Sequence, residues 1–450
     1  MIRPAVTEVR GDADLPRAVD LVVIGGGIIG CSAALWAAEQ GLRVALMEKG
    51  RIAGEQSGRN WGWVRRMGRA AAEYPLGIQS LRLWQGLDAR IGRDTGFRRG
   101  GIVYAARTAR EQAWLAGVES EARRFDLAVT RLDRAALVAT FPGAQLADTE
   151  GLMTADDGRA EPALAAPALA EAARDRGAAL LTGCAARTLD TEAGQVRAVV
   201  TERGAIPCRA VILAAGAWSR LFCGNLGIDL PQVRVRSSVL RTAPAAGGPQ
   251  VALGNGRFAI RPRADGGYTV ARRGRTPVQL TADVLRQARR FSPGILKYRR
   301  EIAVTVDGSL RDDLRTPRHW SGDQVTPFEV CRVLDPEPQV ATLARALHDV
   351  ARVFPALAGV PVVERWGGII DVTPDGVPVI DQTPGLAGLV IATGFSGHGF
   401  GLGPGAGQLA AELATGTEPL VDPAPFRLDR FGSVASPETT RSTAPDSPSP

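Results

Sequence analysis

Residues 20–48, DLVVIGGGIIGCSAALWAAEQGLRVALME, hold in order an apolar strand, a G-x-G-x-x-G turn, an alanine-rich helix to about residue 40, and a second strand ending on an acid. Two strands joined through a helix in this way pair in parallel, so the chain must build an α/β sheet with helices packed on it. Each part of the turn has a physical task. Gly25 permits the sharp exit from the strand, Gly27 lets the backbone approach a pyrophosphate, and Gly30 lets the helix lie close on the sheet. Gly26, Ile28 and Ile29 complete the loop, whose helix N-terminus presents free N–H groups to an anion. Glu48, 18 residues past Gly30, is placed to accept hydrogen bonds from an adenosine ribose, which suits FAD and NAD alike.

At 450 residues the chain exceeds a single compact core, and its 45% hydrophobic content is enough to bury two. No apolar run is long enough to span a bilayer, and residues 1–18 are polar where a signal peptide needs an apolar centre, so the expectation is a cytoplasmic protein without a transmembrane segment. The net charge of +7 could suggest nucleic acid, but all but two of the 54 basic residues are scattered arginines, the exceptions being Lys49 and Lys297. The densest group, residues 261–275, alternates with strand-like residues and reads as a solvated sheet face rather than a nucleic-acid patch. The five cysteines form no C-x-x-C pair, and with three histidines they offer no metal-ligand spacing, so no metal is expected.

Further along, helices are expected over 71–91, 111–125, 157–177 and 342–354, with strands at 178–181, 208–219 and 386–392 and a helix at 403–414 opened by a glycine-rich turn over 394–407. Between 232 and 306 the period becomes alternation with polar turns, which predicts an antiparallel sheet. From Ser433 the chain is polar without apolar period, which predicts a disordered tail.

IGGGIIG, DDGRAEPALAAPALAEAARDRGAALL, AVILAAGAWS, WGGIIDVTPDGVPVID and VIATGFSGHGFGLGPGAGQLAAEL together resemble the D-amino-acid oxidase superfamily of flavoenzymes, in order from about 18 to 430. The pattern is most similar to sarcosine-oxidase β-type subunits and hydroxyproline dehydrogenase-like members. The resemblance implies FAD in a discontinuous Rossmann-type domain, here segments 19–95, 151–230 and 361–430. A substrate domain on an antiparallel sheet, segments 96–150 and 231–360, would be inserted into it, with 1–18 as an extension and 431–450 as the tail. It also implies oxidation of the C–N bond of an amino acid, secondary amine or imino acid by hydride transfer to flavin N5, the imine then hydrolysing. The acceptor would be O2, a quinone or another carrier. A flavin-bearing subunit that needs a partner for turnover is the second reading, and a flavin monooxygenase the third.

Besides the βαβ residues, the resemblance assigns Lys49, Ser57, Asn60, Ala215, Gly216, Trp218, Gly394, Gly397, His398, Gly399 and Gly401 to FAD, with the dipole of the late helix aimed at the reduced flavin. His398 either faces the flavin or packs against backbone. The flavin-linking cysteine of monomeric sarcosine oxidases is absent near Ile370 and Asp371, and Gly401 stands where they carry a lysine, so FAD is expected to be noncovalent. The stretch 268–271 also lacks the lysine that some family oxidases place over N5. The usual carboxylate-binding arginine is missing before TPDG. The segment Trp63-Val64-Arg65-Arg66 is similar to one whose arginine binds carboxylate, which makes Arg65 the expected anchor and Arg66 the next, followed by Arg261 and Arg272, while Trp61 and Trp63 either wall the pocket or pack in the core.

Overall fold

The computed structural model describes residues 4–146, 149–274, 276–298 and 302–432. Four fully buried apolar strands, Leu21–Ile24, Val44–Met47, Ala210–Leu213 and Leu389–Thr393, run parallel beside the shorter Ala179–Leu181. Val379–Gln382 closes the other edge antiparallel, giving six strands. Runs without polar alternation fit this position, because both faces are covered, one by the helices Ile28–Glu39, Pro162–Asp175 and Gly399–Thr415 and the other by the three-stranded antiparallel sheet Ala186–Glu192, Gln195–Thr201 and Gly204–Pro207. The N-terminal extension covers the outer edge: Asp12 N–H donates to Leu180 O at 2.6 Å, and its carboxylate accepts from Leu180 N–H at 2.8 Å. An edge strand left bare would offer unpaired backbone to other chains.

The helices Ile28–Glu39 and Gly399–Thr415 lie side by side and parallel. Glycine makes this approach: a Cβ on Gly403 would lie 2.5 Å from Ile28 Cγ1, and one on Gly407 would lie 2.5 Å from Ser32 Cβ. The late glycines therefore belong to a helix that begins at Gly399, four residues before the expected 403, and the turn is confined to the residues before it. Contact between helices outweighs the low helix propensity of glycine. As a result both helix N-termini open at the same end of the sheet.

An eight-stranded sheet runs in the order Val362–Val372, Val233–Thr242, Tyr268–Arg272, Phe258–Pro262, Ala252–Gly254, Ile102–Ala106, Glu150–Thr154, Thr130–Leu132. All neighbours are antiparallel except Ala252–Gly254 with Ile102–Ala106. Two expected segment limits shift. Glu150–Thr154, which runs across the limit at 150, pairs with Ile102–Ala106, and Val362–Val372, on the far side of that at 360, pairs with Val233–Thr242 along its length. The second is a long strand that stays paired to its end, where the Asp371 side chain reaches Thr393 and Gly394 at the end of the other sheet's Leu389–Thr393. The antiparallel alternation stops at Arg272. Beyond it, Thr276–Gln279 and Ile302–Thr305 form a separate parallel pair with the helices Ala282–Arg286 and Ala288–Tyr298 between them. The tail expected from Ser433 lies outside the described residues.

Arg261 clamps the two sheets. From Phe258–Pro262 it donates to both oxygens of Glu161 at 2.7 and 3.1 Å and to Trp61 O at 2.6 Å, with 1% of its surface exposed. Glu161 is the residue before the helix Pro162–Asp175. A buried guanidinium so fully paired serves the joint between the sheets and cannot also anchor a ligand.

Candidate active site

A cavity of about 830 Å³ opens where the two helix N-termini meet the eight-stranded sheet, at the upper end of the range for ligand sites. Gly27, Ile28 and Ile29 line it from one helix, and His398, Gly399, Phe400 and Gly401 from the other. The first N–H groups of each helix have no partner within the helix, so two positive dipole ends converge on this space.

The glycine turn divides into residues that shape and residues that face the cavity. Gly25, at φ +114°, is backed by Ala214 O, 2.4 Å from where a Cβ would sit, and a Cβ on Gly30 would strike Gly25 O at 1.9 Å. Gly26 gives its N–H to Glu48 Oε2 at 2.8 Å and is not on the cavity wall. Gly27 has an ordinary extended conformation, and only Ser57 Oγ, at 3.1 Å, would meet its Cβ. That is open space of the kind a pyrophosphate needs. Ser57 Oγ accepts the N–H of Ile28 at 2.8 Å, which leaves its own proton free for an anion.

Glu48 ends the second strand at the cavity, its other oxygen accepting Gly50 N–H at 2.7 Å. Burial pushes its carboxyl up, while Lys49 and the two backbone donors pull it down. Lone pairs remain on both oxygens for ribose hydroxyls. Ala215, Gly216, at φ +52°, and Trp218 form the wall after Ala210–Leu213.

Three expected cofactor residues stand otherwise. The Lys49 ammonium is fully engaged, with Glu55 Oε1 and Cys331 O at 2.8 Å and Arg332 O at 3.0 Å, and it lies over the Trp218 ring. With its three protons used, it ties residues 331 and 332 to this domain and has none left for a phosphate. Asn60 lines the cavity but closes its own loop, donating to Gln56 O and Ser57 O and accepting from Gly62 N–H. Gly394, at φ +75°, is not on the wall; its N–H donates to Asp371 Oδ2 at 2.8 Å. Asp371 also accepts from Gln232 and Thr393, and burial raises its pKa. Gly397, by contrast, lines the cavity.

On the side toward the eight-stranded sheet, aromatic rings follow one another: Trp61 to Trp63 at 5.7 Å between centroids, Trp63 to Tyr104 at 5.8 Å, and Tyr104 to Trp114 at 5.2 Å. Arg65, Arg69, Arg272 and Arg273 share this wall. Arg65 Nη1 donates to Met67 O and Gly68 O, and among the described residues Nε and Nη2 have no acceptor. Arg66 is off the wall, its Nε donating to Asp157 Oδ1 at 2.9 Å, so the second expected anchor is engaged in an ion pair. Arg272 pairs with Asp349, and Arg273 lies over Tyr104 and Trp114.

His398 Nδ1 lies 3.0 Å from both oxygens of Glu73. Burial raises the Glu73 carboxyl, but His398 and Arg69 outweigh it and hold the group at about 2. Burial lowers Arg69 to about 10, with Arg65 pushing the same way. Glu73, Arg69, Tyr104, Trp114 and Arg273 were not among the expected site residues. Only Arg69 and Glu73, at i and i+4, carry a local signal in the sequence.

A family model described as FAD dependent oxidoreductase, DAO, matches residues 20–413. N-methyl-L-tryptophan oxidase of Salmonella heidelberg (strain SL476) is 28% identical over 424 residues, 92% of this chain and 99% of that one. The structure of L-amino acid deaminase from Proteus myxofaciens in complex with anthranilate is similar at TM-score 0.91 and 31% identity, covering 96% of this chain and 100% of that chain. L-proline dehydrogenase from P. horikoshii has the same fold, with TM-score 0.74, 22% identity and 93% and 98% coverage. The open space at Gly27, the two convergent helix N-termini and the acid at the end of the second strand fit FAD, and the chain belongs to the DAO family of FAD-dependent oxidoreductases.

Proposed function

We propose that this enzyme oxidises the C–N bond of an α-amino acid, or its N-alkyl derivative, carrying a large aromatic side chain. The observation that carries this reading is the wall Trp61, Trp63, Tyr104 and Trp114 sharing one cavity with Arg65, Arg272 and Arg273. Aromatic faces take an indole or phenyl ring, and a guanidinium offers the fork a carboxylate accepts. Similarity to an N-methyl-L-tryptophan oxidase and to a deaminase in complex with anthranilate supports the same choice.

In this reading bound FAD would supply the hydride-accepting chemistry for the α-carbon. Gly27, Ile28, Ser57 and Glu48 would hold its pyrophosphate and ribose, and the N-terminus of Gly399–Thr415 would stabilise negative charge placed there. The protein supplies position and field rather than the redox chemistry.

The test is anaerobic mixing of the holoenzyme with tryptophan, phenylalanine, N-methyltryptophan, glycine, sarcosine and proline, followed by flavin absorbance. Bleaching at least about tenfold faster with the aromatic compounds is expected, which corresponds to roughly 1.4 kcal/mol of transition-state preference. Equal rates across the panel would sink the aromatic reading, and bleaching by NADPH alone would favour a monooxygenase. Admitting air and then a soluble quinone identifies the acceptor. Reduction by the amine without reoxidation by either points to a partner subunit.

The placement of the cysteines supports noncovalent FAD. All five cysteines are free, four of them buried, and none lines the cavity. Acid precipitation is expected to release all the flavin into the supernatant; a yellow pellet would reveal a covalent link.

A further inference from the structure

His398 precedes the first residue of the helix Gly399–Thr415 and lies on the cavity wall, with 23% of its side chain exposed. Behind it, Glu73 is completely buried. Besides Nδ1 of His398, this carboxylate has Arg69 Nη1 at 3.6 Å and accepts Ala70 N–H at 3.2 Å. These surroundings keep Glu73 an anion, and an anionic carboxylate can only accept, so the proton of the shared contact resides on Nδ1. In a neutral imidazole that leaves Nε2 as a lone pair. Among the described residues Nε2 has no hydrogen-bond partner, and it is not one of the sealed polar atoms.

The charged groups facing the ring are Glu73, Arg65 and Arg69. Burial above all opposes a charge on the imidazole, and the two cations and the positive helix end oppose it further, against the pull of Glu73. The resting ring is therefore neutral but stands beside a ready counter-charge.

We propose that Glu73 is a positioning residue that fixes His398 as its Nδ1–H tautomer, making Nε2 the acceptor of the proton that the substrate ammonium gives up. The inference rests on the amine-oxidation reading above. In the step, one N–H bond of the ammonium breaks and an N–H bond forms at Nε2. The amine keeps the electron pair, and the new imidazolium is compensated by Glu73. A free pair on nitrogen is what allows the α-carbon to release hydride.

The chain has only three histidines, His319, His348 and His398, so 15N-histidine NMR of the holoenzyme can be assigned with one variant, His398→Asn. The expected spectrum shows His398 with Nδ1 protonated and Nε2 bare at neutral pH. In Glu73→Gln the imidazolium loses its counter-charge and its pKa falls. The acidic limb of kcat/KM should therefore move to lower pH, with kcat down on the order of tenfold or more and KM within about twofold. Glu73→Asp, which keeps the charge, should recover part of kcat and return the limb toward that of the wild type. An Nε2–H tautomer in the wild type overturns the proposal, and this holds even where Glu73→Gln does not fold. So does an unmoved acidic limb in a Glu73→Gln protein of normal FAD content. If no amine bleaches the flavin, the amine-oxidation reading fails by that result, whereas the tautomer is read without turnover.

Discussion

Gly27→Val should yield a folded, colourless protein. Gly27 has φ −80° and ψ 177°, a conformation any residue adopts, so a side chain costs no backbone strain. Its Cβ would meet only Ser57 Oγ, at 3.1 Å, while the two methyl groups of valine would project into the space proposed for the pyrophosphate. FAD affinity should fall by at least about a thousandfold, roughly 4 kcal/mol. Gly27→Ala should retain part of the binding. The neighbouring glycines behave differently, because a Cβ on Gly25 or Gly30 collides with backbone oxygen at 2.4 or 1.9 Å, and those variants should fail in folding. FAD content, absorbance at the flavin band and circular dichroism separate the two kinds of failure. Full colour in Gly27→Val would remove the glycine turn from the cofactor site.

The same contrast explains what the sequence discloses and what it withholds. A βαβ unit is local: the strand, turn, helix and acid lie within about thirty residues, and each constrains the next, so the α/β layer and the shaping roles of Gly25 and Gly30 were legible. Charged residues are a different matter, because their partners come from anywhere in the chain. Lys49 stands next to the ribose acid in sequence but is claimed by Glu55 and by carbonyls 282 and 283 residues away. Arg66 is claimed by Asp157, and Arg261 by Glu161, 91 and 100 residues off. Glu73 lies 325 residues from His398, so nothing local links it to the glycine-rich turn. The helix start at Gly399 was obscured for a related reason, since glycine reads as turn until a second helix is present to pack against it.

Arg65→Ala should raise KM for an aromatic amino acid on the order of a hundredfold, with FAD content unchanged. The guanidinium is pinned through Nη1 to Met67 O and Gly68 O at 2.5 and 2.8 Å, which leaves the edge of Nε and Nη2 for a planar acceptor on the cavity side. Loss of a desolvated charge-assisted pair typically costs about 2–5 kcal/mol, partly because the carboxylate is then left without compensation. The defect should nearly vanish for the corresponding amine without its carboxylate, such as tryptamine against tryptophan, because that molecule never uses the anchor. Arg65→Lys should restore only part of the affinity, since a point charge does not reproduce the fork. Arg272 is the competing anchor: it lines the same cavity, but its Nη1 is already paired with Asp349. If Arg272→Ala produces the carboxylate-dependent loss and Arg65→Ala weakens both substrates equally, the anchor is on the strand Tyr268–Arg272, and Arg65 acts only by holding the turn at residues 67 and 68.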